Sequence, residues 1–272
     1  MSRRAKPRFQ TRGFTLFALL IPASAGLAYL GLFGAPLTYV AVNAGALVIA
    51  LAWIAFGQQP SDKLTSRSVA VGLMVVLALP LIFGPEVDGV ARWISMGGLN
   101  LHTGMVVIPL LVGICAQDTL LGPYLILAAL LISFAQPDSA STFALSLAAL
   151  GIWAAKRDGR SAIVAALGMF ASIGASFNGN LAPQDFVEGI LASAWIGSPG
   201  LAIILCLSLL VSLGLILFAP EAAKETRYSL AGALAGFTLA AMAGNYPFPL
   251  IGYGAASIIG FGLALSALGK QP

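Results

Sequence analysis

Few residues in this chain can do chemistry, and most of them sit in four short segments. "DGVARWISMGGLNLHTG", Asp88 to Gly104, places Arg92 beside Trp93 and carries the chain's only histidine, His102. "QPD" puts Asp138 directly behind a proline, and "APQDFVEG" holds two acids three residues apart, Asp185 and Glu188. "NYPFPLIGYGAAS" offers Tyr253 and Ser257 in a run rich in Pro and Gly. A carboxylate within hydrogen-bond reach of a hydroxyl can take its proton as a general base. An arginine can hold an anionic oxygen group through its planar fork of donors.

Each of these residues also has a plainer use. Arg92 can pair with a loop carboxylate and clamp the loop, with Trp93 as an interfacial anchor. Asp138 can simply cap the helix that follows it, and acids in a loop are usually solvated. There is no P-loop, no HExxH and no Cys/His cluster, and one histidine cannot make a zinc site by itself. Cys115 and Cys206 lie inside apolar runs and read as small packing residues. "GALAG" at 232–236 has the spacing of close helix packing.

The elements that must position these residues are membrane spans. Apolar residues make up 59% of the 272 and charged residues only 9%, where a soluble domain carries about 25% charged. Mean hydropathy is +0.94. Apolar segments fall near 14–33, 36–56, 68–84, 104–117, 119–135, 139–156, 161–177, 197–219, 228–245 and 251–269, several of them within the roughly 17–25 residues that a spanning helix needs. The first shows no small-residue cleavage site and leads directly into the second, so it does not read as a cleaved signal. The segment at 104–117 is short for a span and reads as tilted or partly interfacial.

Numbering the breaks alternately from a cytoplasmic N-terminus puts every Lys and Arg except Arg92 on the inside. This is the positive-inside bias at nearly full strength, and a miscounted helix would destroy it. Five of the 14 basic residues crowd the first twelve positions, so the formal charge of +4 orients the chain and does not form a folded basic face for nucleic acid. The expected organisation is a basic cytoplasmic tail, 1–13, and a single polytopic domain, 14–269. The expected fold class is an all-α membrane protein of about ten transmembrane helices with both termini cytoplasmic. Glu86, Asp88, Arg92, Asp138, Asp185 and Glu188 then all lie outside. The segment 245–257 looks re-entrant, and its irregular backbone is tolerable only if buried in protein or lining a wet cavity.

Four of these segments, in order, resemble motifs of the SEDS family of shape, elongation, division and sporulation proteins (FtsW/RodA-like). "GVARWISMGG" resembles its G-x-x-R-W-I/L-x-x-G loop after the third helix, and "QPDSAST" its Q-P-D-L-G-T between the fifth and sixth. "PQDFV" resembles its H-T-D-F-I, and "PFPLIGYGAAS" its P-L-P-F-I-S-Y-G-G-S-S. The resemblance runs from about Val87 to Leu268. It implies a SEDS-like ten-helix bundle in the bacterial cytoplasmic (inner) membrane, active in peptidoglycan synthesis for cell shape, elongation or division. It further implies a glycosyltransferase that polymerises lipid II on the outer face, with a class B penicillin-binding protein as partner. The family's catalytic aspartate falls on Asp185. Arg92 and Trp93 would position the diphosphate or the loop, and Asp138, Tyr253 and Ser257 would shape the cavity. A divalent cation, Mg or Mn, held by outer carboxylates could supply missing positive charge, although the sequence shows no ligand set.

The departures are as informative. Counting without gaps from Arg92, the family's Q-P-S-E-x-x-K is "HTGMVVI", so its glutamate and lysine become Met105 and Ile108. Losing one partner of a buried pair strands a charge, while losing both to apolar residues is nearly neutral. The long outer loop before the aspartate is reduced to about ten polar residues from Asn178. A non-catalytic SEDS-like scaffold or regulatory subunit is therefore a second reading. A lipid-linked precursor flippase is a third, disfavoured because almost no ionisable groups occur at mid-membrane.

Overall fold

The computed structural model describes residues 9–57, 62–179, 181–220 and 222–269. Most of the expected basic tail and the last three residues lie outside them. The helices are α1 (Phe9–Leu32), α2 (Leu37–Phe56), α3 (Lys63–Ala78), α4 (Pro80–Phe83), α5 (Thr103–Gln117) and α6 (Gly122–Ala135). They continue with α7 (Ser139–Lys156), α8 (Gly159–Ser176), α9 (Ile190–Gly197), α10 (Pro199–Leu217), α11 (Lys224–Ala243) and α12 (Ala255–Leu265). Every expected apolar segment is a helix, with α3 and α4 forming one nearly continuous rod.

Two elements were not expected. The loop after α4 carries a β-hairpin, β1 (Trp93–Met96) paired antiparallel with β2 (Leu99–His102). Its turn is Gly97–Gly98, both at positive φ, the backbone that a tight two-residue hairpin requires. The short helix α9 precedes α10 and starts from Gly189 at φ 64°.

Local chemistry sets the helix starts. The carboxylates of Asp62, Asp138 and Asp158 accept from backbone N–H groups at the starts of α3, α7 and α8, satisfying donors that a helix leaves open. Proline occupies the first turn of α4, α6 and α10, where its missing N–H costs nothing.

Packing sorts the helices into two kinds. α1, α2, the α3–α4 rod, α8 and α10 are long and apolar enough to cross a membrane by length and composition. They expose large side chains such as Phe17, Leu37, Phe56, Phe170 and Leu210, a surface that water would not support and hydrocarbon would. α5, α7 and α11 are wrapped by other helices. The expectation that 104–117 is interfacial is therefore corrected: α5 is the most enclosed helix, buried from Thr103 through Val112 apart from Val106. It is short because protein, not lipid, meets it on every side. Small residues allow the close approach. A Cβ on Gly232 would strike Leu147 O, one on Gly236 would strike Ala144, and one on Gly260 would strike Met105 O. Cys115 is buried as expected, whereas Cys206 is exposed on α10.

The polar ties respect the two sets of breaks. At the end expected inside, Arg67 grips Asp118 with Nε–Oδ2 2.6 Å, Lys156 faces Glu225 at 3.5 Å, and Arg12 donates to Ala55 O. The Arg67 guanidinium holds the Asp118 carboxyl well below the usual carboxylate range. At the other end, Asn245 donates to Leu181 O at 3.0 Å and Arg92 to Gly179 O at 3.3 Å. Each of these ties joins segments from one set only, as a bundle of alternating crossings requires.

Candidate functional site

A cavity of about 570 Å³ opens at the end away from the basic residues. Three segments and two further helices build it: the hairpin and its flanks, the loop 181–189, the segment 245–257 with the start of α12, Tyr39 with Val42 on α2, and Met105 on α5. Irregular backbone here needs partners, and it has them. Phe248 N–H donates to Val187 O at 3.1 Å and Tyr253 N–H to Phe186 O at 2.7 Å, lacing two loops together. Buried Asn43 of α2 donates from Nδ2 to Gly252 O at 2.9 Å and accepts from Gly254 N–H through Oδ1 at 3.0 Å. Ser257 Oγ accepts from Leu250 N–H at 3.1 Å. These are the internal partners that backbone at membrane depth must find.

Arg92 is 1% exposed. Its guanidinium lies 4.6 Å from the ring centre of Trp93 and 5.0 Å from that of Tyr246, a cation held between two aromatic faces. No carboxylate comes within ion-pair distance of it among the described residues, so the expected loop-clamping ion pair is absent. Its Nε is buried without a partner. Tyr246 Oη shares the Gly179 carbonyl at 3.5 Å.

Beneath Arg92 lies a second polar layer. His102 Nδ1 accepts from Met105 N–H at 3.3 Å and so caps α5. That leaves the proton on Nε2, which faces Asp138 Oδ2 at 3.4 Å. Burial pushes the imidazole below its ordinary value, with the Asp138 carboxylate opposing and the Arg92 charge adding to the shift. Asp138 does cap α7, accepting from Ser141 N–H through Oδ1 at 3.1 Å. Its other oxygen belongs to the layer under the cavity. α5 can approach this cap because residue 104 is glycine: a Cβ there would strike Ser141 Oγ and lie 3.2 Å from Asp138 Oδ2.

The two acids of 181–189 part company. Glu188 is half-buried and lines the cavity. Its Oε2 accepts from Gln184 N–H at 2.6 Å. Burial raises its carboxyl, with that N–H and Arg92 pulling the other way. Asp185 is exposed and not part of the cavity wall. Arg92, Trp93, Tyr253 and Ser257 thus share one cavity, Asp138 lies below it, and Asp185 sits at its margin. Tyr253 stacks on Tyr39 with ring centres 3.7 Å apart and planes 5° from parallel, a flat aromatic wall. Met105, at the family's glutamate position, lines the cavity, and Ile108 is fully buried.

Tyr39, Tyr246 and Asn43 carry no assignment from sequence, and His102 stands there only as the lone histidine, without a partner. Asn43 carried a signal, as the one amide in "LTYVAVNAGALVIALAWIAF", since a polar group inside a span usually has an assigned partner. Among the described residues no group of three or more His, Cys, Asp or Glu is placed to hold a metal.

Fold and cavity together define an all-helical, multi-pass membrane protein with a polar chamber at one end. Its architecture is that of the rod-shape-determining protein RodA. The Thermus thermophilus RodA crystal structure matches with a TM-score of 0.63 at 16% identity, covering 94% of this chain and 94% of that one. An aspartate-to-alanine mutant of the same protein matches with a TM-score of 0.64 at 16% identity, covering 94% and 95%. A structure of a peptidoglycan synthase complex, described as coordinating polymerization and crosslinking, matches with a TM-score of 0.57 at 18% identity, covering 92% and 95%. No protein-family profile matches the sequence, and no curated protein sequence matches it. At such identities the likeness is one of fold.

Proposed function

We propose that this chain is a divergent SEDS-like protein of the bacterial cytoplasmic membrane that polymerises lipid II into glycan strands at its outer face. The observation that carries this reading is the convergence of Arg92 and the acid-bearing 181–189 loop on one cavity, in a fold shared with RodA over nearly the whole chain. In the reaction the 4-hydroxyl oxygen of one lipid-linked sugar bonds to the anomeric carbon of another. The bond from that carbon to the diphosphate breaks, its electron pair leaving with the polyprenyl diphosphate. A carboxylate of the 181–189 loop receives the hydroxyl proton, and the resemblance assigns this role to Asp185. Positive potential from Arg92 favours the departing negative charge. The apolar helix faces accommodate the lipid tails.

Purified protein, with and without a class B penicillin-binding protein as partner, should form glycan strands from lipid II that a gel resolves. The double variant Asp185→Asn/Glu188→Gln should form none while eluting and melting like the parent. Absence of polymer from the parent under all partner conditions would turn the reading to a non-catalytic SEDS-like scaffold. That alternative draws on one observation: Met105 and Ile108, where the resemblance has a glutamate and a lysine, are apolar and buried.

The reading also requires ten crossings with both termini inside. In a Cys206→Ala background, Ala182→Cys should react with a membrane-impermeant maleimide in intact spheroplasts. Leu120→Cys should react only after permeabilisation. Both positions are exposed. The reverse pattern would overturn the topology.

A further inference from the structure

We propose that His102 is a positioning residue whose protonation state sets how firmly Arg92 is held. The inference goes beyond the polymerase reading and holds whatever reaction the cavity runs. Both ring nitrogens are engaged. Nδ1 accepts from Met105 N–H in the first turn of α5, so that nitrogen carries no proton. Nε2 faces Asp138 Oδ2 at 3.4 Å, and the other oxygen of Asp138 caps α7. One imidazole thus joins the hairpin to the starts of two helices.

The same ring supports Arg92 through Trp93. His102 and Trp93 are direct cross-strand partners in the hairpin, the arrangement in which side chains of two strands support one another. The imidazole stands edge-on to the indole, with ring centres 6.3 Å apart and planes 84° from parallel. The indole in turn lies 4.6 Å from the Arg92 guanidinium. Backbone ties run the same way. The Arg92 carbonyl accepts from Thr103 N–H at 3.1 Å and from Thr103 Oγ1 at 3.3 Å, and Thr103 is the first residue of α5. A cap lost at His102 therefore frees the first turn of α5 and both supports of Arg92.

His102 is 4% exposed yet lines the cavity, which opens at the end away from the basic residues. A histidine cation carries N–H on both nitrogens and accepts nothing. Protonation sets Nδ1–H against Met105 N–H, two donors face to face, and the cap must open. Burial and the Arg92 charge disfavour the cation, while the Asp138 carboxylate favours it. Of the helices packed on β2, α12 carries no titratable side chain and α5 only Cys115, at its far end. Glu188 and Tyr246 act on Arg92. Burial leads, so folding lowers the proton affinity of the ring. As pH falls the unfolded chain takes up its proton first. The stability that His102 contributes is therefore whole above about pH 6.5 and is lost as the pH drops through the folded value.

His102 is the chain's only histidine, so isotope-labelled histidine in protein purified without a histidine tag gives one imidazole signal. Nitrogen NMR at about pH 7.5 should show Nδ1 unprotonated and Nε2 as N–H. The ring should titrate below the ordinary histidine value of 6.5. His102→Asn supplies the comparison, because an asparagine oxygen also caps a helix and does not titrate. Between about pH 7.5 and about pH 5.5, the parent's melting temperature should fall further than the variant's. The difference should be about 2–4 °C, the worth of one cap. Comparing the two proteins cancels what the carboxylates contribute. Over the same range the Met105 amide should lose exchange protection in the parent alone, after correction for the intrinsic pH dependence of exchange. A proton on Nδ1 at the higher pH, or titration at or above the ordinary value, overturns the proposal. So does an acid-induced loss of equal size in both proteins.

Discussion

Arg92→Ala should lower the melting temperature of the detergent-solubilised protein by on the order of 10 °C and abolish the proposed glycan synthesis. The guanidinium fills the space between Trp93 and Tyr246 and donates to the Gly179 carbonyl. Truncating a large buried side chain typically costs about 3–5 kcal/mol, because the void does not fully close. Here the loss is compounded by unstacking two cation–aromatic contacts and by removing the positive charge nearest to Asp138, His102 and Glu188. Arg92→Lys should recover less than half of the stability. An ammonium keeps the charge but cannot lie flat between two rings while donating sideways. Differential scanning fluorimetry of the three proteins gives the stability answer independently of any substrate. A melting temperature for Arg92→Ala within a degree or so of the parent would mean that the side chain is not held between the rings at all.

Asn43→Leu should be nearly as damaging, although Asn43 lies in the middle of an apolar helix and carries no charge. Its amide serves Gly252 O and Gly254 N–H, one on each side of Tyr253. Leucine matches its branching and heavy-atom count and suits lipid better, so a transfer argument alone would call the change neutral or favourable. The hydrogen-bond argument decides otherwise. The buried Gly252 O loses its partner, at about 1–3 kcal/mol, and the Gly254 N–H at the cavity wall loses its tie to α2. Segment 245–257 should loosen, the Tyr39–Tyr253 stack should open, and amide exchange at Gly254 should rise sharply. Exchange measured by mass spectrometry on the peptide spanning Pro247–Ser257 tests this directly. Protection equal to the parent's would show that Asn43 does not hold the segment.

These two residues mark the boundary between what is legible in the chain and what is not. The apolar helices follow from composition alone, because lipid and water partition side chains one at a time. Hence each apolar segment falls on a helix with ends displaced by up to five residues: α1 starts at Phe9, and the segment beginning at 68 is extended back to Lys63, behind the Asp62 cap. The ordered motifs likewise carried the fold, since "GVARWISMGG", "QPDSAST", "PQDFV" and "PFPLIGYGAAS" lie on its hairpin, helix junction and loops.

Other features depend on neighbours distant in sequence. Nothing in "TGMVVIPLLVGICAQ" tells an enclosed helix from an interfacial one, because both are apolar; only the ring of helices around α5 decides. Two acids three residues apart look alike in sequence, yet one turn at Gln184 sends Glu188 into the cavity and Asp185 to the margin. Arg92 looked ready for a carboxylate, but Trp93 and Tyr246 reach it first, and Tyr246 lies 154 positions further along the chain (246 − 92). Sequence thus determined which residues leave water, a property of each side chain by itself. Tertiary structure decided which buried polar group meets which, because a hydrogen bond or an aromatic contact exists only when two segments are brought within a few ångströms.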